Sequence, residues 1–169
     1  MTLQAMNLPM NLPMNLPMNL LDHFMLQQVQ LTTLHAELLQ ASAESGTQEA
    51  RVELNLTPRL VKADSGTELP SYRVTARLSC ESSSRNSASF RAAVVVDALY
   101  QQTDGTAIDL AEFMRNNASL TRQLYPLLQA EMRQLLLRLG LQHIHLPFDL
   151  PPHTQKVSGQ TIEFSGAVH

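Results

Sequence analysis

The sequence lacks several features that would mark whole classes of protein. It has no tryptophan, one cysteine (Cys80) and only 16% charged residues. A single cysteine can form neither an internal disulfide nor a thiolate metal cage, and it fits a reducing compartment, so we expect a cytoplasmic protein. Twelve basic residues against fifteen acidic ones leave no positive excess, so we expect no nucleic acid partner. No stretch of about 20 predominantly apolar residues occurs, and we expect no membrane insertion.

The first twenty residues contain a perfect four-residue repeat. Met-Asn-Leu-Pro occurs three times from Met6 to Pro17, and a partial fourth copy ends at Leu20. Proline at every fourth position blocks a regular helix and restricts the preceding leucine to extended geometry. We therefore expect residues 1–21 to be a disordered or extended tail. Two interpretations stay open: slippage in the coding DNA, or a ligand-like apolar strip of Leu8, Leu12 and Leu16.

Four segments alternate apolar and polar residues with a period of two, which is typical of half-buried strands. The alternation is imperfect in the first, 24–39, where a helix is an alternative for residues 34–40. It is clean in the second, 52–56, which Pro58 closes, and strongest in the third, 72–80. The fourth, 90–100, carries apolar residues on both faces, so we expect it to be more fully buried.

After Gly105 the apolar spacing lengthens to that of helices. Residues 108–114 fit a short helix, and a longer apolar stripe runs from Leu120 to Leu139 and stops at Gly140. Pro126 lies inside the stripe, where it bends the helix or marks its first turn. We expect residues 141–147 to form an extended run.

The order of these elements predicts an α+β fold. We expect a four-stranded antiparallel sheet with a short and a long helix packed on one face, formed by residues 22–152. The tail at 153–169 shows no apolar helical period, and we expect it to be flexible. A small open sheet has two free edges and uncovered apolar surface, so we expect a homo-oligomer.

Short motifs in this order resemble the SecB family of protein-export chaperones. The segments that carry the resemblance are 24–29 (FMLQQV), 52–56 (VELNL), 124–126 (LYP) and 141–147, and together they span about three quarters of the chain. The resemblance implies the same α+β order of strands and helices, a dimer of dimers, and unfolded preproteins as clients. It also places the Leu-Tyr-Pro motif at the opening of the main helix.

The chain departs from the family pattern on the predicted sheet face. In the family, acidic residues on the first and fourth strands contact the SecA motor. The matching positions here hold Thr33, Glu37 and Ala93, with Arg91 beside them, so only Glu37 is acidic. Loss of negative charge weakens steering of a basic partner, and we expect little or no SecA binding. Distant members of the family guard an antitoxin, so a dedicated antitoxin-like client is the alternative.

No catalytic pattern stands out, and we expect no enzyme. His143 and His145 share one face of an extended segment and could chelate a metal, but only Asp149 is an acid close by; polar surface positions are the alternative. Cys80 ends an apolar face, where a small buried thiol is the simpler interpretation. Six glycines are scattered singly, so no phosphate-cradling loop exists and no cofactor is expected.

A binding protein is therefore the stronger hypothesis. We expect an ATP-independent holdase that buries apolar client segments in a groove; an adaptor that recognises one folded partner is the competing class. The family pattern gives the client-binding candidates, and the alternative is that they are ordinary core or interface side chains. These candidates are Leu38, Leu39, Phe113, Tyr125 and Leu128.

Overall fold

The computed structural model describes residues 20–40, 50–61, 69–82, 89–148, 150 and 162–168. The predictions for residues 1–19 and 151–161 lie outside the described residues. The elements in chain order are α1 (Leu20–His23), β1 (Phe24–Gln40), β2 (Ala50–Val61), β3 (Ser71–Ser82), β4 (Ser89–Gln102), α2 (Leu110–Met114), α3 (Asn117–Arg138) and β5 (Ile162–Val168).

The strands form one antiparallel sheet in the order β1-β4-β3-β2-β5. The predicted four strands followed by a short and a long helix are confirmed. Strands β2, β3 and β4 form a meander, whereas β1 crosses over and pairs with β4. The fifth strand was not predicted: it lies in the segment expected to be a flexible tail, and its backbone pairs with β2.

Strand β1 is longer and more irregular than its sequence pattern suggests. It remains a strand through Gln40, so the helical alternative for residues 34–40 is wrong. Its pairing with β4 shifts register between Leu26 and Gln28, between Leu31 and Thr33, and again after Leu38. Each shift adds a residue to β1 alone, and such bulges reset the alternation of side chains between the two faces. This explains the imperfect period of two.

Two of the proline predictions need correction. Strand β2 continues past Pro58 to Val61, and Pro58 stands opposite Val74 in register. Pro126 lies inside α3, nine residues after its first residue Asn117, so it does not mark the first turn. Gly140 follows the helix with φ of 75°, the left-handed geometry expected at a helix end.

The core lies between α2, α3 and one face of the sheet, which we call the helix side. Alternate residues of β2, β3 and β4 point to it and are buried, including Leu54, Leu78 and Val94. From the helices, Phe113, Leu124 and Leu128 fill the same layer. The opposite face, which we call the open side, carries no described helix.

The segment after α3 closes one end of the core. Residues 141–147 form turns and irregular structure rather than the expected extended run. Leu141, Ile144 and Leu146 are buried. The Tyr125 hydroxyl and the Gln129 side-chain amide both donate to the carbonyl of Pro147, at 2.6 and 2.7 Å. The long helix therefore holds this segment against the domain.

Candidate polypeptide-binding surface

Four apolar side chains of β1 lie on the helix side but remain exposed. We call them the β1 strip: Val29, Leu31, Leu34 and Leu38, between 39% and 45% exposed. Their partners on β4 are Ala98, Val96, Val94 and Phe90, all of which are buried. Directly opposite residues of antiparallel strands share a face. The strip therefore extends the apolar face of the sheet beyond the part that the helices cover. Exposed apolar surface of this kind marks interaction sites.

One flank of α3 faces the strip side of the sheet. The Tyr100 hydroxyl of β4 donates to Gln123 Oε1 at 2.8 Å, which turns this flank toward the half of the sheet that ends in β1. Leu127 lies one helical turn further along the same flank and is 44% exposed. The opposite flank, with Tyr125 and Gln129, faces the segment at Pro147. Leu127 is therefore an exposed apolar side chain on the flank of α3 that bonds to β4.

The structure separates the predicted client-binding residues into two groups. Leu38 and Leu39 are exposed at the end of β1, at 44% and 54%. Phe113, Tyr125 and Leu128 are buried within the subunit, which matches the alternative that they are core side chains. The two groups do not form one site in this conformation.

Phe113 is the centre of an aromatic cluster. Its ring stacks on Tyr72 at a centroid distance of 4.2 Å and contacts Phe24 and Tyr100 at 5.2 and 6.0 Å. The Tyr72 hydroxyl donates to the carbonyl of Ile108. Burial raises the pKa of both tyrosine hydroxyls, and Asp109 and Glu112 add to the rise at Tyr72. These contacts tie the short helix to three strands.

The predicted partner-contact residues lie together on the open side of β1 and β4. Thr33 stands opposite Val95, and Glu37 stands opposite Arg91. Glu37 Oε1 lies 3.5 Å from Arg91 Nη1 and 3.7 Å from His35 Nε2. Ala93 lies on the same face but is only 3% exposed. Glu37, the single acid among these four residues, therefore already has two basic neighbours.

The remaining chemical candidates show no arrangement for catalysis. Among the described residues, no three His, Cys, Asp or Glu side chains are grouped closely enough to hold a metal ion. His143 and His145 are both exposed. Cys80 is buried, as predicted, and burial, with the neighbouring Glu81, raises the pKa of its thiol to about 12. Such a thiol is protonated at neutral pH and is a poor nucleophile.

Within the described part of the chain, no helix combines the length and the apolar character that crossing a membrane requires.

Sequence reasoning missed most of the β1 strip. Val29 and Leu31 followed the expected alternation, but Leu34 fell out of phase because Thr32 is the extra residue of a bulge. The spacing of the apolar residues in the sequence does indicate the bulge. Two apolar pairs, 29 with 31 and 34 with 36, each keep a period of two and differ in phase by one residue.

The comparison with solved structures decides the fold. The chain resembles the Mycobacterium tuberculosis SecB-like chaperone Rv1957, solved in complex with a ChAD peptide from the HigA1 antitoxin Rv1956. The TM-score is 0.57 at 19% sequence identity, and the match covers 76% of this chain and 93% of the other. This chain has a SecB-like fold. The SecB-like resemblance seen in the sequence is thereby confirmed at the level of structure.

Comparison of the sequence alone finds no relative. No protein-family model and no curated protein matches the chain. The similarity to SecB-like chaperones therefore rests on the three-dimensional arrangement and on the short sequence motifs named above.

Proposed function

We propose that this protein is an ATP-independent holdase that acts in the cytoplasm and binds extended, unfolded segments along the β1 strip. The observation that carries the proposal is the strip itself. Four apolar side chains line an edge strand at 39–45% exposure, beside a helix flank that presents Leu127. The SecB-like fold supports the assignment, as does the solved neighbour, which is a chaperone holding a peptide.

The binding energy comes from two sources that an unfolded chain offers and a folded one does not. Apolar client side chains gain about 25 cal/mol for each Å² they bury against the strip. The client backbone gains hydrogen bonds by adding to the edge of β1. Both need an extended segment, so client choice follows from the unfolded state rather than from one sequence. No nucleotide and no catalytic group takes part, so we propose a non-enzymatic activity without a cofactor.

A dedicated antitoxin-like client is the second candidate. The neighbour was solved with a peptide from an antitoxin, which supports a narrow client range for a chain of the same fold. The contact surface is the same in both cases, and only the breadth of clients differs.

Two further proposals concern SecA binding and self-assembly. Because Glu37 is already paired with Arg91 and His35, we propose that the protein acts independently of SecA. We also propose a homo-oligomer, a dimer or dimer of dimers. On α3, Leu135 and Leu136 are buried within the subunit, whereas Leu137 is 53% exposed and is a candidate for its interface.

The number of unrelated unfolded proteins that the chain protects from aggregation tests the proposed function. The full chain is mixed, without nucleotide, with three unrelated proteins diluted from denaturant, and their aggregation is followed by light scattering. We expect suppression of all three at near-stoichiometric amounts. Suppression of none while an antitoxin-like peptide binds would favour the dedicated chaperone, and no binding of any unfolded chain would contradict both.

A further inference from the structure

Strand β5 lies at the end of the sheet, beside β2. The strand order β1-β4-β3-β2-β5 gives β5 a single pairing partner. Its seven residues, Ile162–Val168, pair with Ala50–Leu56 of the twelve-residue β2 in antiparallel register. Among the described residues, no strand pairs with the rest of this edge of β2, from 57 to 61. The last strand therefore covers a little more than half of the outer edge of β2.

The register places apolar residues of β5 opposite core residues of β2. Ile162 stands opposite Leu56. Phe164 stands opposite Leu54. Both leucines are fully buried on the helix side. Directly opposite residues of an antiparallel pair share a face, so the alternate apolar positions of β5 also fall on the helix side. The outer edge of β2 thus suits an extended segment in which every second residue is apolar.

The sequence of β5 makes it a weak strand. Gly166 takes the helix-side position opposite Val52, which is fully buried. Glycine brings no side chain to this position, and it loses more backbone entropy on folding than other residues do. Glu163 and Ala167 also belong to residue types that are depleted in strands. An extended segment with valine or tyrosine at the position of Gly166 has the higher strand propensity.

The pairing with β2 is also the main attachment of β5. Eleven residues, 151–161, separate it from Leu150, which is buried. Among the described elements, only β2 makes extensive contacts with β5. The entropy lost on ordering a strand opposes the gain from its hydrogen bonds, and terminal elements open locally at a low free energy. Release of β5 would leave β2 paired with β3 and the core in place.

We propose that the outer edge of β2 is a second binding site for extended polypeptide segments, and that β5 is its built-in occupant. This inference rests on the proposed function, since the ligand is an unfolded client. The client adds to β2 through backbone hydrogen bonds, and its alternate apolar side chains take the helix-side positions that β5 leaves. The site lies at the opposite edge of the sheet from the β1 strip, so it adds to that surface.

The occupant sets a threshold for clients. A short tether gives an effective concentration in the millimolar range, so even weak pairing keeps the edge occupied most of the time. The apparent affinity of a client falls in proportion to the fraction of time that the edge is open. Segments with several alternate apolar residues displace β5, whereas polar segments do not. The occupied edge is also protected from nonspecific pairing with other chains.

A reversible disulfide in the full chain tests the proposal. The lock variant carries Glu53→Cys and Ser165→Cys, at positions that stand directly opposite each other on the open side. Opposite positions of neighbouring strands meet the distance that a disulfide needs. The native Cys80 is buried on the helix side, away from this pair. A bond within one chain or between two copies closes the edge equally, so the result does not depend on the oligomeric state.

Two further variants complete the set. The control, Asn55→Cys with Arg77→Cys, joins β2 to β3, which stay paired whether or not β5 is released. The open-edge variant carries Phe164→Pro and Ser165→Pro. Backbone groups alternate along a strand, so one of two adjacent N–H groups faces β2, and its loss breaks the pairing.

Each protein is tested with two labelled probes by fluorescence anisotropy: a permanently unfolded client, and a peptide that copies residues 162–168. We expect the open-edge variant to bind the peptide about tenfold more tightly than the reduced lock variant does. Oxidation of the lock variant should weaken peptide binding at least tenfold and client binding several-fold. Oxidation of the control should change neither. Equal peptide binding before and after oxidation of the lock variant would overturn the proposal.

The two probes separate this inference from the proposed function. Peptide binding in the expected order, with no unfolded client bound by any of the proteins, would support β5 as the occupant of a β2 site and contradict the holdase. Equal client binding by all of the proteins, with no peptide bound, would overturn the β2 site and leave the holdase standing.

Discussion

Replacing three residues of the β1 strip by threonine is expected to weaken the binding of an unfolded client about tenfold. The variant carries Val29→Thr, Leu31→Thr and Leu34→Thr. Full burial of such side chains is worth roughly 1.5–3 kcal/mol each, and less than half of each surface is still exposed and available to a client. Threonine keeps part of each apolar surface, so the loss would be roughly 1.4 kcal/mol in total, which is a factor of ten.

The matched control changes the other face of the same strand. Gln28→Thr with Gln30→Thr lies on the open side, opposite Leu99 and Asp97, and keeps the strip intact. Threonine suits a strand, so both variants should keep the fold, which circular dichroism checks. Affinity is measured by fluorescence anisotropy with a labelled, permanently unfolded client. Equal client affinity in the two variants would show that the β1 strip is not part of the client-binding site.

Replacing Phe113 by alanine is expected to lower the free energy of unfolding by about 3–5 kcal/mol. The ring is fully buried and contacts Phe24, Tyr72 and Tyr100, so its removal leaves a cavity where α2 meets the sheet. The loss is large against the total stability of a domain of this size. Urea unfolding followed by circular dichroism measures it.

Gln134→Ala is the control for the aromatic cluster. Gln134 lies on α3 and is exposed, so its truncation should change stability by no more than about 0.5 kcal/mol. Phe113 was also a candidate client contact, and the two roles give different results. A Phe113→Ala protein that kept its stability but lost client affinity would show that Phe113 leaves the core to bind.

The fold was largely predictable because local patterns and long-range packing agree. Strand β3 alternates cleanly, since one of its faces is wholly buried from Tyr72 to Cys80. The stop of α3 at Gly140 follows from the positive φ that glycine accommodates. The prediction that β2 ends at Pro58 was wrong, because it considered only proline's local effect on a strand. Pairing with β3 carries β2 on to Val61. The fifth strand escaped notice because its pairing with β2 is a long-range property.

The candidate site was less predictable than the fold. The β1 strip depends on two facts that no local window contains: which strand lies at the edge, and where the bulges fall. Family resemblance gave Leu38 and Leu39, which are exposed, but also Tyr125 and Leu128, which are core residues. An apolar side chain on a helix-side position can be core or binding surface, and only the extent of the covering helix decides between them.

Site-specific photocrosslinking tests the central claim most directly. A benzophenone amino acid is placed at Leu31 in the strip or at Arg73, an exposed position on the open side of β3. Each protein is irradiated with the same unfolded client, without nucleotide. We expect strong crosslinks from position 31, which excess unlabelled client suppresses, and few from position 73. Equal crosslinking from both positions, or crosslinks from position 73 alone, would contradict it.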